Sequence, residues 1–418
     1  MDKFIIKGGT PLKGEISISG AKNAVLPIMA ATIIKPAIYK IKNVPNLRDT
    51  RTMISILKGS GAKVDFNKNI LIIDSRFCDN PEAPYELVKT MRASFYMLGP
   101  FMSRFNEALI SLPGGCAWGP RPVNYHIEAL KKMGAKVDLI EGNIICKGKL
   151  KGARISFKQK SVGATGNIIM AACNAIGITE IKNAACEPEI VDLCNFLKIT
   201  GVEIEGVGTS HLYIKPNKSD LKEFKYRVIP DRVEAGTFMI GAFMTKGDVL
   251  IKNIVPNHLQ IVIDKILEAG AKIDIINQDI LRIRYDGLIN PVDMETKEFP
   301  GYPTDLQAQW MSLMSIARGS CSVKESIYKD RFTHISELVR LGADINLKNN
   351  VAYINGVNKL NGAPVMSTDI RASASLILGA LAADGQSSIS RIYHIDRGYE
   401  RIENKIEQLG GFIKRQVD

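Results

Sequence analysis

Six copies of one pattern run along the chain and limit the folds that it can adopt. In each copy an amphipathic segment precedes a glycine and an alternating apolar–polar stretch, as in LKGSGAKVDF from Leu57. The shared glycines recur about every 70 residues, at Gly61, Gly134, Gly201, Gly270, Gly342 and Gly410. Each copy therefore predicts a surface helix, a C-terminal glycine in the left-handed conformation, and a strand.

A second pattern, which also occurs six times, predicts buried helices. Its segments, such as AKNAVLPIMAATI from Ala21 and VEAGTFMIGAFM from Val233, are apolar and rich in small residues. A helix that is apolar on all sides is a buried helix. These units are too elaborate for a solenoid, and the sequence lacks the GxGxxG or P-loop motif of a doubly wound nucleotide fold. We therefore expect an α/β protein of two inside-out domains, each with three βαβαββ-like units, buried helices and outer sheets.

The length of 418 residues exceeds what one hydrophobic core usually holds, and six units divide into two domains of three. We expect the first domain to span residues 22–229 and to carry a catalytic loop at 111–121. The second should combine residues 1–21 with 230–418, because symmetry suggests that the N-terminal strands complete the last unit. The openings of the buried helices are polar, and we expect them to face an active-site cleft between the domains.

Composition excludes several classes of protein. The chain has no apolar stretch of about 18 residues and no N-terminal signal-peptide pattern, so we expect a cytoplasmic protein. Seven cysteines without a CxxC pair and five scattered histidines argue against both a disulfide framework and a metal site. The net charge of +12 comes from dispersed lysines and arginines, which favours anionic small molecules over nucleic acid as partners.

The stretch from Ser111 to His126, SLPGGCAWGPRPVNYH, mixes glycines and prolines and therefore predicts a loop. Cys116 lies in this loop, five residues before Arg121. A thiol near a fixed cation can be reactive, because the cation favours the thiolate. The alternative is a structural loop with an incidental cysteine.

The N-termini of the buried helices are candidate anion sites, because free N–H groups and the helix dipole favour negative charge there. An aspartate at such a position can also be only a helix cap. Lys22, Arg121 and Arg397 are cations able to clamp an anion. The alternative for each of them is a solvated surface charge.

A series of motifs from Lys3 to the C-terminus carries a family resemblance. The motifs are SGAKNAVLPIMAA, LPGGCAWGPRPV, SVGATGNIIMAA, EPEIVDL, GYPTDLQAQWMSL, DRFTHISEL, TDIRASASLILGAL and RIYHIDRGYERIENKI. Together they resemble the UDP-N-acetylglucosamine 1-carboxyvinyltransferases, a family of enolpyruvyl transferases with two inside-out α/β domains. The resemblance implies transfer of the enolpyruvyl group of phosphoenolpyruvate to the 3′-hydroxyl of UDP-N-acetylglucosamine, with release of phosphate.

The resemblance further implies the first committed step of peptidoglycan synthesis, and so a role in cell wall biogenesis, cell shape, the cell cycle and cell division. It implies no cofactor and no metal; with the composition, we also expect no nucleic acid, no membrane and no obligate protein partner. It also implies that fosfomycin inhibits the enzyme covalently at Cys116.

The resemblance implies the site residues as well. Cys116 matches the loop cysteine that acts as a general acid, Asp305 the residue that takes the hydroxyl proton, and Asp369 a second carboxylate near the reacting centre. The residues that match the phosphoenolpyruvate clamp and its surroundings are Lys22, Asn23, Arg121, Arg371 and Arg397. The residues that match the nucleotide-sugar site, with Arg331 nearby, are Arg92, Arg121, Pro122, Val123, Asn124, Tyr125, Lys160, Ser161, Val162, Gly163 and Ile327.

Three places depart from the family pattern. Asn124 and Tyr125 stand where Asp-Leu is usual, Gly166 replaces a bulkier residue, and Tyr302 stands where phenylalanine is usual. None of these positions matches the acid, the base or the phosphate clamp.

Two alternatives to the implied activity stay open. One is enolpyruvyl transfer to shikimate 3-phosphate, from which the LPGGC loop and the RPV segment point away. The other is a non-catalytic paralogue that binds a UDP-sugar, which loss of Cys116, Asp305 or Lys22 would favour. All three residues are present.

Overall fold

The computed structural model of the chain describes residues 2–89, 91–112, 123–216 and 221–417. The described chain begins with two strands, β1 (Lys3–Lys7) and β2 (Lys13–Ser17). It divides into two compact units near residues 19–20 and 229–230. We call the described part of residues 20–229 the first unit, and that of residues 2–19 and 230–417 the second unit.

The first unit alternates helices with short strands. Its helices are α1 (Lys22–Ala31), α2 (Arg48–Gly59), α3 (Tyr85–Val88), α4 (Leu98–Phe105), α5 (Asn124–Lys132), α6 (Val162–Ala172) and α7 (Pro188–Ile199), with a 3₁₀ helix at Arg92–Met97. Its strands are β3 (Ile38–Lys42), β4 (Lys63–Asn67), β5 (Ile70–Asp74), β6 (Glu82–Ala83), β7 (Glu107–Ser111), β8 (Lys136–Ile140), β9 (Asn143–Lys147), β10 (Arg154–Ser156), β11 (Thr179–Lys182), β12 (Glu203–Glu205), β13 (His211–Lys215) and β14 (Glu223–Arg227).

The second unit repeats this plan. Its helices are α8 (Arg232–Met244), α9 (Gln260–Glu268), α10 (Gln307–Met314), α11 (Ile335–Arg340), α12 (Ile370–Ala382) and α13 (Ile402–Gln408), with 3₁₀ helices at Pro256–Leu259, Thr304–Leu306 and Ile392–Arg397. Besides β1 and β2, its strands are β15 (Asp248–Lys252), β16 (Lys272–Asn277), β17 (Ile280–Arg284), β18 (Met294–Glu295), β19 (Ser320–Lys324), β20 (Asp344–Lys348), β21 (Val351–Asn355), β22 (Pro364–Met366), β23 (Gln386–Ser390) and β24 (Phe412–Gln416).

The strands form six four-stranded sheets, and each described unit holds three of them. The first unit has the orders β14-β3-β5-β4, β6-β7-β9-β8 and β10-β11-β13-β12. The second has β2-β15-β17-β16, β18-β19-β21-β20 and β22-β23-β1-β24. In every sheet the first two strands are parallel and the others antiparallel, which is the pairing of one repeated βαβαββ unit.

The N-terminal strands belong to two different sheets of the second unit. Strand β1 lies between β23 and β24 and belongs to the sheet of the last repeat. Strand β2 instead pairs with β15 and opens the fourth repeat, although it directly precedes α1 in sequence. Strand β14, which precedes α8, opens the first repeat by pairing with β3. The chain therefore changes unit twice, because each opening strand is followed by a helix of the other unit.

Each unit has its own hydrophobic core, built around helices that are apolar on nearly every side. In the first unit these are α1, α4 and α6, and in the second α8, α10 and α12. The glycine after each surface helix has a positive φ, between 83° and 105°, as predicted from the repeated pattern. None of the described helices has the length and apolar character needed to cross a membrane.

Candidate active site

Lys22 is the first residue of α1, and its side chain is buried. Its Nζ lies 2.8 Å from Oδ2 of Asp49, a buried residue in the first turn of α2. A buried charge needs a partner of opposite sign, and Asp49 supplies it. Sequence reasoning missed Asp49, because an acidic residue in the first turn of a helix is common on dipole grounds alone. Asn23, the residue that follows Lys22, is exposed.

The other predicted residues of the first unit lie where helices begin. Arg92 starts the 3₁₀ helix, Asn124 starts α5, and Ser161 caps α6 by accepting a hydrogen bond of 3.2 Å from the backbone N–H of Ala164. Helix N-termini carry unpaired N–H groups that suit phosphate oxygens. Residues 160–163 are partly buried and remain accessible at the opening of α6.

One buried amide, that of Asn167, links α6 to the 3₁₀ helix, to α4 and to α5. Asn167 in α6 accepts a hydrogen bond of 2.8 Å from the N–H of Gly99, and its Nδ2 lies 3.1 Å from the carbonyl oxygen of Phe95. The same Nδ2 lies 3.0 Å from Nδ1 of His126 in α5. Because the amide nitrogen only donates, Nδ1 accepts and the imidazole proton is on Nε2. Burial lowers the pKa of His126 to about 3, so the ring is neutral at physiological pH.

Two family departures have a local explanation in the first unit. Tyr125 packs edge to face on Phe157, with ring centroids 6.1 Å apart, so the ring replaces the usual apolar side chain. At Gly166 an added β-carbon would lie 3.0 Å from Cε1 of Tyr96. The tyrosine ring therefore occupies the space that a bulkier residue would need at position 166.

Asp305 in the second unit lies between two arginines. Its Oδ1 is 2.9 Å from NH1 of Arg331, and its Oδ2 is 2.7 Å from NH2 of Arg371. Burial alone would raise the pKa of the Asp305 carboxyl, but Arg371 and Arg331 outweigh it and hold the pKa well below its usual range. The group is therefore a carboxylate at neutral pH.

The remaining predicted residues of the second unit are Asp369, Arg397 and Ile327. Asp369 caps α12, with Oδ1 accepting hydrogen bonds of 2.8 and 3.2 Å from the N–H groups of Arg371 and Ala372. Arg397 ends a 3₁₀ helix that packs on α12 and is partly buried. Ile327 is partly buried, and its N–H donates to Oε1 of Glu325 at 2.8 Å.

The predicted residues Cys116, Arg121 and Pro122 lie outside the described residues, and Val123 is the first described residue after them. Within the second unit the structure brings Asp305, Arg331 and Arg371 into direct contact. Sequence reasoning missed the buried polar groups around the predicted residues of both units, which are Asp49, His126, Asn167 and Glu325. Their signal is a buried polar side chain, and burial of one polar residue is not readable from a single sequence.

The family described as EPSP synthase (3-phosphoshikimate 1-carboxyvinyltransferase) matches residues 6–406. A UDP-N-acetylglucosamine 1-carboxyvinyltransferase of Geotalea uraniireducens (strain Rf4) is 52% identical over 417 residues and 99% of both chains. The enzyme of the same name from Chloroherpeton thalassium (strain ATCC 35110 / GB-78) is 49% identical, over 100% of this chain and 98% of that one.

Two solved structures have the same fold. The enolpyruvyl transferase NikO from Streptomyces tendae superposes with a TM-score of 0.89 and 22% identity, over 100% of this chain and 99% of that one. EPSP synthase from Acinetobacter baumannii gives a TM-score of 0.79 and 18% identity over 100% of both chains. The predicted fold class and the predicted resemblance are both confirmed. The chain belongs to the UDP-N-acetylglucosamine 1-carboxyvinyltransferase family and is a transferase.

Proposed function

We propose that this chain transfers the enolpyruvyl group of phosphoenolpyruvate to the 3′-hydroxyl of UDP-N-acetylglucosamine and releases phosphate. The observation that carries the proposal is the Asp305 carboxylate, held ionised between Arg331 and Arg371. It supplies an anionic base next to two cations. The choice of acceptor rests on the names of relatives that share about half of their residues with the full chain.

The reaction requires a base and an acid. In the addition step Asp305 takes the proton of the 3′-hydroxyl, the oxygen bonds to C2 of phosphoenolpyruvate, and C3 receives a proton from the acid, Cys116. In the elimination step C3 loses a proton, the double bond re-forms, and the C2–O bond to phosphate breaks. Asp369 is the second carboxylate available for proton transfer at this centre.

Cations stabilise the charge that the phosphate and carboxylate carry during both steps. We propose that Lys22, Arg121 and Arg397 bind these groups, with Asn23 and Arg371 beside them. The buried Lys22–Asp49 pair supports this role, because Asp49 fixes the direction of the ammonium group. A fixed cation loses little conformational entropy when it binds an anion.

The nucleotide sugar is proposed to bind at the openings of α5 and α6. The proposed contacts in the first unit are Arg92 and the segments 121–125 and 160–163; Ile327 is a proposed contact in the second unit. The N–H groups at the start of α6 suit a diphosphate. The hydrogen bonds of Asn167 support a shared role, because they join α6 to α5 and to the 3₁₀ helix that Arg92 begins.

Phosphate release from phosphoenolpyruvate tests the proposal, with UDP-N-acetylglucosamine and shikimate 3-phosphate as separate acceptors. We expect release only with the nucleotide sugar. Release with shikimate 3-phosphate but not with the nucleotide sugar would contradict the proposed acceptor and identify shikimate 3-phosphate in its place. Tight binding of the nucleotide sugar without any release would favour a regulatory paralogue, and would contradict the proposed role of Asp305.

The proposed reaction has wider consequences for the cell. Its product feeds peptidoglycan synthesis, so loss of the enzyme would affect cell wall biogenesis, cell shape and division. Both substrates are cytoplasmic metabolites, which supports a cytoplasmic location. We further propose that fosfomycin inactivates the enzyme by alkylating Cys116.

A further inference from the structure

Glu325 is a fully buried carboxylate just after β19, and four groups donate hydrogen bonds to it. Its Oε1 accepts from the hydroxyl of Thr296 and from the N–H groups of Ile327 and Tyr328, each at 2.8 Å. Its Oε2 accepts from the hydroxyl of Thr304, also at 2.8 Å. A buried carboxylate is costly unless it is well hydrogen-bonded, and here both oxygens are.

The Oε1 side holds the turn that carries Ile327. Two consecutive N–H groups, those of Ile327 and Tyr328, converge on the same oxygen. The hydroxyl of Thr296, which donates to that oxygen, also accepts from the N–H of Ser326 at 2.9 Å. The position of Ile327, a proposed contact of the nucleotide sugar, is therefore set by Glu325.

The Oε2 side leads to Asp305. The Thr304 hydroxyl has one proton and donates it to Glu325, which leaves its lone pairs for a donor on the other side. That donor is NH1 of Arg331, at 3.0 Å. The same NH1 lies 2.9 Å from Oδ1 of Asp305, the residue that follows Thr304. Glu325 thus orients the hydroxyl that orients the arginine beside the proposed base.

We infer that Glu325 is a positioning residue. It holds the proposed base Asp305 through Thr304 and Arg331, and it also holds the turn at Ile327. The base and the turn therefore keep a fixed position relative to each other. The inference rests on the proposed function, because that function gives the two sides of Glu325 separate roles. We call the contacts of Oε2 the Thr304 arm and those of Oε1 the Ile327 arm. The Thr304 arm acts on turnover, and the Ile327 arm acts on nucleotide-sugar binding.

Glu325→Gln separates the two arms. The glutamine oxygen can still accept from Thr296, Ile327 and Tyr328, but its NH₂ group cannot accept from the Thr304 hydroxyl. We expect kcat to fall about tenfold to a hundredfold, because small displacements of catalytic groups have effects of this size. The KM for UDP-N-acetylglucosamine should stay within about twofold of the parent, because the Ile327 arm is kept.

Thr304 provides the matched variants. Thr304→Val removes the same link and should lower kcat as Glu325→Gln does, and the double variant should be no slower than either single one. Thr304→Ser keeps the hydroxyl and should restore most of the parent kcat. Asp192→Asn is the control: Asp192 is another buried carboxylate, bound by the hydroxyl of Tyr226 at 2.6 Å, and its variant should keep the parent kcat.

Steady-state phosphate release with the parent and these variants decides the inference. A parent that releases phosphate, together with a Glu325→Gln variant of unchanged kcat, would overturn the role of Glu325 while the proposed function stands. Equal loss in Thr304→Ser and Thr304→Val, or additive losses in the double variant, would also overturn it. A parent that releases no phosphate with the nucleotide sugar would overturn the proposed function, and this inference with it.

Discussion

The ammonium group of Lys22 lies 2.8 Å from the carboxylate of Asp49, and both side chains are buried in the first turns of two neighbouring helices. The pair joins α1 to α2 within the first unit. Removing one partner of a buried pair leaves the other charge uncompensated. The cation proposed to bind phosphoenolpyruvate is therefore also a structural group.

Lys22→Ala and Asp49→Ala should each lower the free energy of unfolding by about 3 kcal/mol, whereas the double variant should lose less than the sum. Urea unfolding of the three variants measures this coupling. Strictly additive losses would show that the pair contributes little.

Under conditions in which the Lys22→Ala variant is folded, its KM for phosphoenolpyruvate should be higher than that of the parent. An unchanged KM would contradict the proposed role of Lys22 in binding phosphoenolpyruvate.

Asp305→Asn should keep nucleotide-sugar binding and lose most turnover, because an amide cannot accept the hydroxyl proton. We expect kcat to fall about a hundredfold or more, while calorimetry gives a Kd for UDP-N-acetylglucosamine close to that of the parent. Asp248→Asn is the matched control, since Asp248 is bound by Arg282 on the solvent-facing side of a sheet in the same unit. Near-parent turnover of Asp305→Asn would rule out Asp305 as the base.

Fosfomycin should attach to one thiol per chain, at Cys116. Burial raises the thiol pKa of all six described cysteines, which makes them poor nucleophiles; they are Cys78, Cys146, Cys173, Cys186, Cys194 and Cys321. Cys116→Asp should remain active, because a carboxyl can donate a proton, yet take up no inhibitor. Intact mass and peptide mapping check this, and label on the Cys116→Asp chain would place the reactive thiol elsewhere.

The pH dependence of stability should report on His126. Burial lowers its pKa to about 3, whereas a histidine of the unfolded chain titrates near pH 6.5. Below about pH 6.5 the unfolded state therefore binds a proton that the folded state does not. As the pH is lowered from there, the free energy of unfolding decreases by about 1.4 kcal/mol for each pH unit. The fall ends near the folded pKa, where the buried imidazole also becomes protonated.

His126→Gln removes this titration while leaving a side chain that can accept from Asn167. Its free energy of unfolding should fall less steeply than that of the parent between about pH 6.5 and pH 4. Urea unfolding at several pH values in this range compares the two slopes. Identical slopes would contradict a neutral, buried His126.

Tyr302→Phe should stabilise the second unit. The Tyr302 side chain is buried against Trp310, and its hydroxyl has no hydrogen-bond partner among the residues that the structure describes. A buried hydroxyl without a partner costs about 1–3 kcal/mol, so its removal should raise the free energy of unfolding by about 1 kcal/mol. Loss of stability in the variant would indicate that the hydroxyl is bonded after all.

The sequence by itself determined the repeated architecture and the family. Six glycines in one pattern predicted six helix ends with positive φ, because only glycine adopts that conformation without strain. The apolar segments from Ala21 and Val233 predicted buried helices, since burial of a whole helix needs apolar residues on every side. Local patterns of this kind depend on neighbours within a few positions, and such neighbours are visible in the chain itself.

Only the tertiary structure decided which side chains hold the candidate site. Asp49, Asn167 and Glu325 are distant in sequence from partners such as Lys22, Gly99 and Thr304, and no local pattern marks them. The sheets to which β2 and β14 belong could not be read from the sequence either. Each of these strands precedes a helix of one unit but pairs with a strand of the other unit. The physical reason is the same in both cases: buried polar groups and strand edges need partners, but their chemistry does not state where along the chain these partners lie.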